Sequence, residues 1–178
     1  MKTLMSALAL CCFATFAQAQ TSEEHPGGMN TYYRVTIKNG KGVEVGYARF
    51  TPLLHGTQVD FNLHGMPPGQ HAVHIHEKGS CVGPDFTSAG GHFSPKHAMH
   101  GYDNAKGPHE GDLANIFVSA DGKAEAQMIA HDLVAKKGTG IFQKGGTSIV
   151  IHDQADDEKS QPSGAAGNRI ACGVIELK

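Results

Sequence analysis

Gln70-His71-Ala72-Val73-His74-Ile75-His76-Glu77 is the stretch on which the reading of this chain turns. In an extended strand, successive side chains fall on opposite faces. Val73 and Ile75 then point into an apolar core, and His71 shares their face as a hydrogen-bonded structural residue. His74 and His76 point the other way, side by side, where two imidazoles can hold one ion. A His-x-His pair also arises by chance on exposed strands, so its meaning depends on its surroundings.

Those surroundings are more strands. Thr31–Lys38, Val43–Thr51, Gln58–Leu63, Leu113–Ser119, Ala124–His131, Thr147–His152 and Ala171–Leu177 are short β-prone runs between turn signals. Asn39-Gly40 and Asp121-Gly122 are turn pairs, and Met66-Pro67-Pro68-Gly69 makes a corner just before the histidine strand. Eight short strands without a helical period predict an all-β sandwich or barrel. Composition agrees: 23 of 178 residues are Gly, aromatics are 7 % and Trp is absent, which suits short elements and many turns. Residues 78–112 and 153–170 break the rhythm. They are polar, Gly-rich and too long for hairpin links, and long loops in a compact domain usually carry function.

The length allows one ordinary domain. With 15 Lys+Arg against 17 Asp+Glu the net charge is −2, and no nucleic-acid partner is expected. Lys2, the apolar run Leu4 to Phe16 and the small residues of Ala17-Gln18-Ala19 read as a secretory signal over residues 1–19, cut between Ala19 and Gln20. The run is too short for a bilayer anchor, and the residues before Cys11 and Cys12 fit a lipid-attachment site poorly, so no membrane anchor is expected. Residues 20–30, with His25, form a leader, and 31–178 the domain. Cys81 and Cys172 remain in the exported chain, where an even pair most simply forms one disulfide.

Twelve histidines are many for 178 residues. The first long loop supplies His92, His100, His109 and Asp112 at intervals of 8, 9 and 3. Three imidazoles and a carboxylate make a tetrahedral zinc set. His97 is a rival to His100 within that loop, and His152 by spacing alone is a surface histidine.

Five motifs then carry a resemblance: Gly69 to Glu77, Ser88-Ala89-Gly90-Gly91-His92-Phe93, His109-Glu110-Gly111-Asp112-Leu113, Val150-Ile151-His152-Asp153 and Gly167-Asn168-Arg169-Ile170-Ala171-Cys172-Gly173. Together, from about Thr31 to Lys178, the chain resembles the copper/zinc superoxide dismutase family. The resemblance implies an eight-stranded antiparallel Greek-key sandwich or flattened barrel, immunoglobulin-like, with two long functional loops. It implies one copper ion, held by His74, His76, His92 and His152, and one zinc ion, held by His92, His100, His109 and Asp112. The family interval favours His100 over His97, and His92 becomes a bridging imidazolate. Asp156 matches a carboxylate that accepts hydrogen bonds from one copper ligand and one zinc ligand. Arg169 matches the guanidinium that meets the superoxide anion, and with His92 as proton carrier it completes the catalytic pair.

The spacing of Cys81 between His76 and His92 is that of secreted bacterial members, which points to the periplasm, with the extracellular space as the alternative. The loop from Asp157 to Arg169 is shorter than in cytosolic members and holds only Lys159, so Lys136, Lys137 and Lys144 become candidates for guiding substrate. Quaternary state varies within the family, which leaves a homodimer open. The rival reading is a non-enzymatic copper/zinc carrier on the same fold; against it stand all seven ligand positions and Arg169.

Overall fold

The computed structural model describes residues 32–177, and the β-prone runs within them become strands. The signal segment 1–19, its cleavage site at Ala19 and Gln20, and the leader with His25 lie outside the described residues. The strands are β1 (Tyr33–Asn39), β2 (Glu44–Pro52), β3 (Thr57–Leu63), β4 (Gly69–His76), β5 (Asp112–Val118), β6 (Ala124–Ala130), β7 (Ala135–Lys136), β8 (Thr139–Gly140), β9 (Thr147–His152) and β10 (Arg169–Ile175).

Eight of them form one sheet in the order β5-β4-β9-β10-β1-β2-β3-β6, antiparallel at every neighbour. The two edge strands, β5 and β6, are consecutive in the chain. The turn Ser119–Lys123 joins them, closed by Ser119 N–H to Lys123 O and Gly122 N–H to Ser119 O, both 2.9 Å. Tying the edges together curls the sheet into a nearly closed, flattened barrel, and the jumps from β3 to β4 and from β6 to β9 give it Greek-key connections.

Alternation decides what lies inside. Val35, Ile37, Phe50, Val73, Ile75 and Ile151 are among the residues that fill the barrel, each almost wholly buried. Burying one such side chain stabilises the fold by about 1.5–3 kcal/mol. From His71 onward β4 is buried on both faces, as is all of β9. Their inward face is core, so something must cover the outward one: the two long loops do.

The structure differs from expectation in the first turn, in an added hairpin and in a short 3-10 turn, Thr87–Ala89, within the first long loop. The turn after β1 is longer than the Asn39-Gly40 pair suggests. Gly42 (φ 77°) takes the left-handed position, and the Asn39 side chain accepts from the N–H groups of Lys41 and Val43. Between β6 and β9 the chain makes the small hairpin β7–β8, whose strands of two residues each are too short to leave an alternation signal.

Candidate metal centre

Strand register brings the first three groups of the site together. His74 lies opposite Asp112 on β5 and opposite Val150 on β9, while His152 ends β9 on the same outward face. The loop between β4 and β5 folds back over this face. His92 bridges to His76, Phe93 N–H donates to Ile75 O (2.8 Å), and Gly111 N–H donates to Phe93 O (2.9 Å). His100 and His109 arrive on the same loop.

The result is two adjoining groups of ligand atoms. His74, His76, His92 and His152 each bring one atom within 4.8 Å of the others. Behind, the opposite nitrogen of each ring is held. His74 Nε2 donates to Asp156 Oδ2 (2.7 Å), His76 Nδ1 to Gly90 O (3.0 Å) and His152 Nδ1 to Gly167 O (3.4 Å), while His92 Nδ1 faces Asp112 Oδ1 (3.0 Å). Carbonyl and carboxylate oxygens only accept, so the hydrogens of the His74, His76 and His152 rings point outward. Their lone pairs converge with that of His92 Nε2, whose ring turns Nδ1 to the second group. His74 Nδ1, His76 Nε2, His92 Nε2 and His152 Nε2 are buried without a hydrogen-bond partner. Leaving a buried polar atom unpaired costs about 1–3 kcal/mol. Four converging lone pairs are what a cation satisfies.

The second group surrounds Asp112 Oδ1, with His92 Nδ1 at 3.0 Å, His100 Nδ1 at 3.0 Å and His109 Nδ1 at 3.2 Å. His109 Nδ1 is 3.3 Å from His92 Nδ1. A tetrahedral ion with metal–ligand distances near 2.0–2.1 Å has ligand-to-ligand edges of about 3.3 Å. His74 is also within 4.8 Å of His92, His100 and Asp112, but its Nε2 is taken by Asp156 and its Nδ1 belongs to the first group. Asp112 Oδ2 accepts from the N–H groups of Gly101 (2.9 Å) and His109 (3.0 Å), which turns Oδ1 toward the rings. His92 is thus the one ring shared by both groups, one nitrogen in each.

Asp156 ties the two groups together. Its carboxylate accepts from His74 Nε2 (2.7 Å) and from His100 Nε2 (3.0 Å). Asn115 fixes it from β5, donating to Asp156 O (2.9 Å) and accepting from Asp156 N–H (2.8 Å). Asn115 carried no signal in the sequence, because its partner lies 41 residues away and no local pattern links them.

Electrostatics follow from burial. It depresses His76 to about 2, His92's charge adding to the effect, and His152 to about 3, with His74 adding. Burial also takes His92 to about 4, against an opposing hydrogen bond to Asp112. These rings are neutral at pH 7 and keep their lone pairs. For His100, burial is outweighed by hydrogen bonds to Asp112 and Asp156, which lift it to about 9. Asp112 and Asp156 resist burial in the same way: hydrogen bonds from the histidines hold both well below the usual carboxylate range.

Arg169 begins β10, and its guanidinium donates to Phe86 O (2.8 Å) and Gly90 O (2.7 Å) on the first loop. Neither carbonyl could be picked out from the sequence. The Cys81–Cys172 disulfide, with Cα atoms 5.7 Å apart, fastens that loop to β10 beside a small cluster of Phe86, Ala89 and Val150. His97 is exposed and outside both groups, unlike the wholly buried His100. His71 is buried, its Nδ1 2.7 Å from His152 O and its Nε2 2.8 Å from Pro67 O, as its place on the core face predicts.

Known proteins show the same arrangement of sequence and fold. The family profile for copper/zinc superoxide dismutase (SODC) matches residues 44–175. The Cu-Zn superoxide dismutase of Caulobacter vibrioides is 45 % identical over 145 residues, covering 79 % of this chain and 83 % of its own. The crystal structure of a superoxide dismutase-like protein from Bacillus subtilis superposes with a TM-score of 0.76 at 42 % identity, over 80 % of this chain and 97 % of that one. The Cu/Zn superoxide dismutase from Brucella abortus does so with 0.70 at 30 % identity, over 82 % and 99 %. With a buried set of histidines built for two ions, on the barrel these relatives share, the chain belongs to the copper/zinc superoxide dismutase family.

Proposed function

We propose that this chain disproportionates superoxide with copper held by His74, His76, His92 and His152 and zinc held by His92, His100, His109 and Asp112. The observation that carries the assignment is the set of four buried, unpartnered ring nitrogens, each with its opposite nitrogen engaged by the protein or by the second group. Two superoxide anions and two protons become oxygen and hydrogen peroxide. When bound, copper supplies the one-electron couple that this exchange needs, and zinc, which has no redox change of its own, supplies fixed positive charge.

The chain's own residues do the rest. Asp156 orients His74 and His100 together, and outer partners of this kind set tautomer and ring angle. His92 carries the proton: Nε2 takes it up in the first half of the cycle and releases it toward peroxide in the second, while Nδ1 stays beside Asp112 and His109. Arg169 commits two of its N–H groups to Phe86 O and Gly90 O, which holds the side chain still and leaves others for the anion. The loops exclude bulk water from the four nitrogens, which are buried.

The disulfide suits an exported protein, and among the described residues no helix is long and apolar enough to cross a membrane. We assign the chain to the periplasm, with the extracellular space as the alternative. Every proposed ligand comes from one chain, so the chemistry does not require the homodimer that the family resemblance leaves open; sedimentation of the mature protein reads that state directly.

Metal analysis after reconstitution should give one copper and one zinc per chain, with dismutase activity. Zinc without copper uptake under oxidising conditions would overturn the enzyme reading. Cobalt in the zinc position should couple magnetically to Cu(II) through His92, and His92→Ala should abolish that coupling while His74, His76 and His152 still retain some copper. Coupling that survives in the variant assigns the bridge to another residue.

A further inference from the structure

The β9–β10 ladder falters where it reaches the site. Arg169 pairs with His152 and Ala171 with Ile151, so Ile170 is an extra residue in a bulge directly after Arg169. A bulge re-aims the side chains beside it and interrupts regular pairing. Beyond the bulge, toward the loop, a different device takes over. Asp153 N–H donates to Asn168 O (2.9 Å), Asn168 N–H to Asp153 Oδ1 (2.7 Å), and Asn168 Nδ2 to Asp153 Oδ2 (2.8 Å). Three hydrogen bonds thus join the residue after His152 to the residue before Arg169. Gly167 (φ 76°) leaves room for this clamp, since a Cβ there would overlap Asp153 Oδ1.

We infer that Asp153 is a positioning residue: through Asn168 it sets the backbone from which Arg169 reaches Phe86 O and Gly90 O, and so fixes where the guanidinium meets the substrate anion. The inference rests on the reading of Arg169 given under the proposed function. A carboxylate near the path of an anion would by itself repel it, so a purely electrostatic view makes Asp153 a hindrance. The clamp gives the carboxylate a reason to be there. An amide retains an oxygen for the Asn168 N–H, and its NH2 can donate to the Asn168 side-chain oxygen once the Asn168 amide turns over from its present donating orientation, while the charge is discarded.

That difference makes the test. Asp153→Ala and Asp153→Asn would be loaded with copper and zinc, matched for metal content, and compared for kcat/KM and for azide affinity by optical titration of the Cu(II) protein. Hydrogen exchange of the Arg169 guanidinium in the zinc-loaded protein, read by NMR, reports its immobilisation without any turnover. Asp153→Ala should lower kcat/KM by between about tenfold and a hundredfold, the scale on which misplacement of a contacting group costs rate. It should also weaken azide and speed the exchange, while Asp153→Asn recovers most of all three. Asn168→Ala, which keeps the backbone bonds and loses one side-chain bond, should fall between and serves if Asp153→Ala does not fold. Equal acceleration by Asp153→Ala and Asp153→Asn would make Asp153 merely a surface charge and overturn the inference, as would two silent variants. Arg169→Ala in parallel separates the failures: if it too leaves rate and azide affinity unchanged, the role of Arg169 itself falls; if it impairs both while the Asp153 variants do not, only the clamp does.

Discussion

Asp156 serves two rings with one carboxylate, so a single substitution reaches both halves of the site. Asp156→Ala removes the acceptor from His74 Nε2 and His100 Nε2 at once, and both metal affinities should fall by about 10–100-fold, as loss of an orienting partner does elsewhere. Chelator competition for each metal measures this, and weakening confined to one metal contradicts the shared role. On the proposed reading, Arg169 acts through charge as well as position. Raising salt should slow the wild type, since screening shortens to about 10 Å near 0.1 M. The slope should flatten in Arg169→Ala and reverse in fully metallated Arg169→Glu; an unchanged slope in the Glu variant refutes substrate capture by this residue. At this scale the sequence was legible where strand alternation exposed a pair, as at His74 and His76. His152 needed the family motif because a strand-end histidine has no local signature. Asn115 carried no signal, and Asp153 stood in a motif with no role of its own, because their partners are residues that only folding brings near.

Strands β4 and β9 are buried on both faces, and that places the histidines: one face belongs to the barrel, the other to loops that must be held down. The disulfide holds the first of them by closing a separation of 91 residues between Cys81 and Cys172. In the chain-entropy account a loop of that size contributes up to about 4–5 kcal/mol, less any native strain. Cys172→Ser should therefore lower the melting temperature clearly and loosen zinc, since His92, His100 and His109 all ride on the anchored loop. Equal melting and equal zinc retention in the variant would show the anchor to be dispensable. All eight sheet strands could be read from β-prone runs and turn signals. The β7–β8 hairpin could not, and neither could the short 3-10 turn at Thr87–Ala89, because elements of two or three residues complete no period.

The barrel as a whole carries an apparent contradiction: it buries rings that would rather be wet, and on the proposed assignment the two metals would resolve it. Without metal, the cost should appear in the pH dependence of stability. His76, His152 and His92 titrate at about 2, 3 and 4 in the fold, against about 6.5 in an unfolded chain. Between those values the unfolded state binds more protons, so this contribution is present above pH 6.5 and is lost as pH falls toward 4. Glu158 opposes it: burial first, then Asp156, raises it to about 7, and its contribution fades as pH climbs from its unfolded value through 7. Three groups against one leave a net gain in stability as pH rises from 4 to 6.5. His100, lifted to about 9, adds stability that is complete below 6.5 and lost as pH rises through 9. Metal-free protein should accordingly melt highest near neutrality and lower on both sides. Zinc would take the His100 Nδ1 lone pair and leave its Nε2 hydrogen on Asp156, so the loaded protein should melt higher by ligand linkage and lose the alkaline decline. Thermal melts of chelator-treated and reconstituted protein from pH 4 to 9 measure both curves. A metal-free melt that stays level between pH 4 and 6.5 would mean that these rings are not held neutral by burial, and that the converging lone pairs are not ready for an ion.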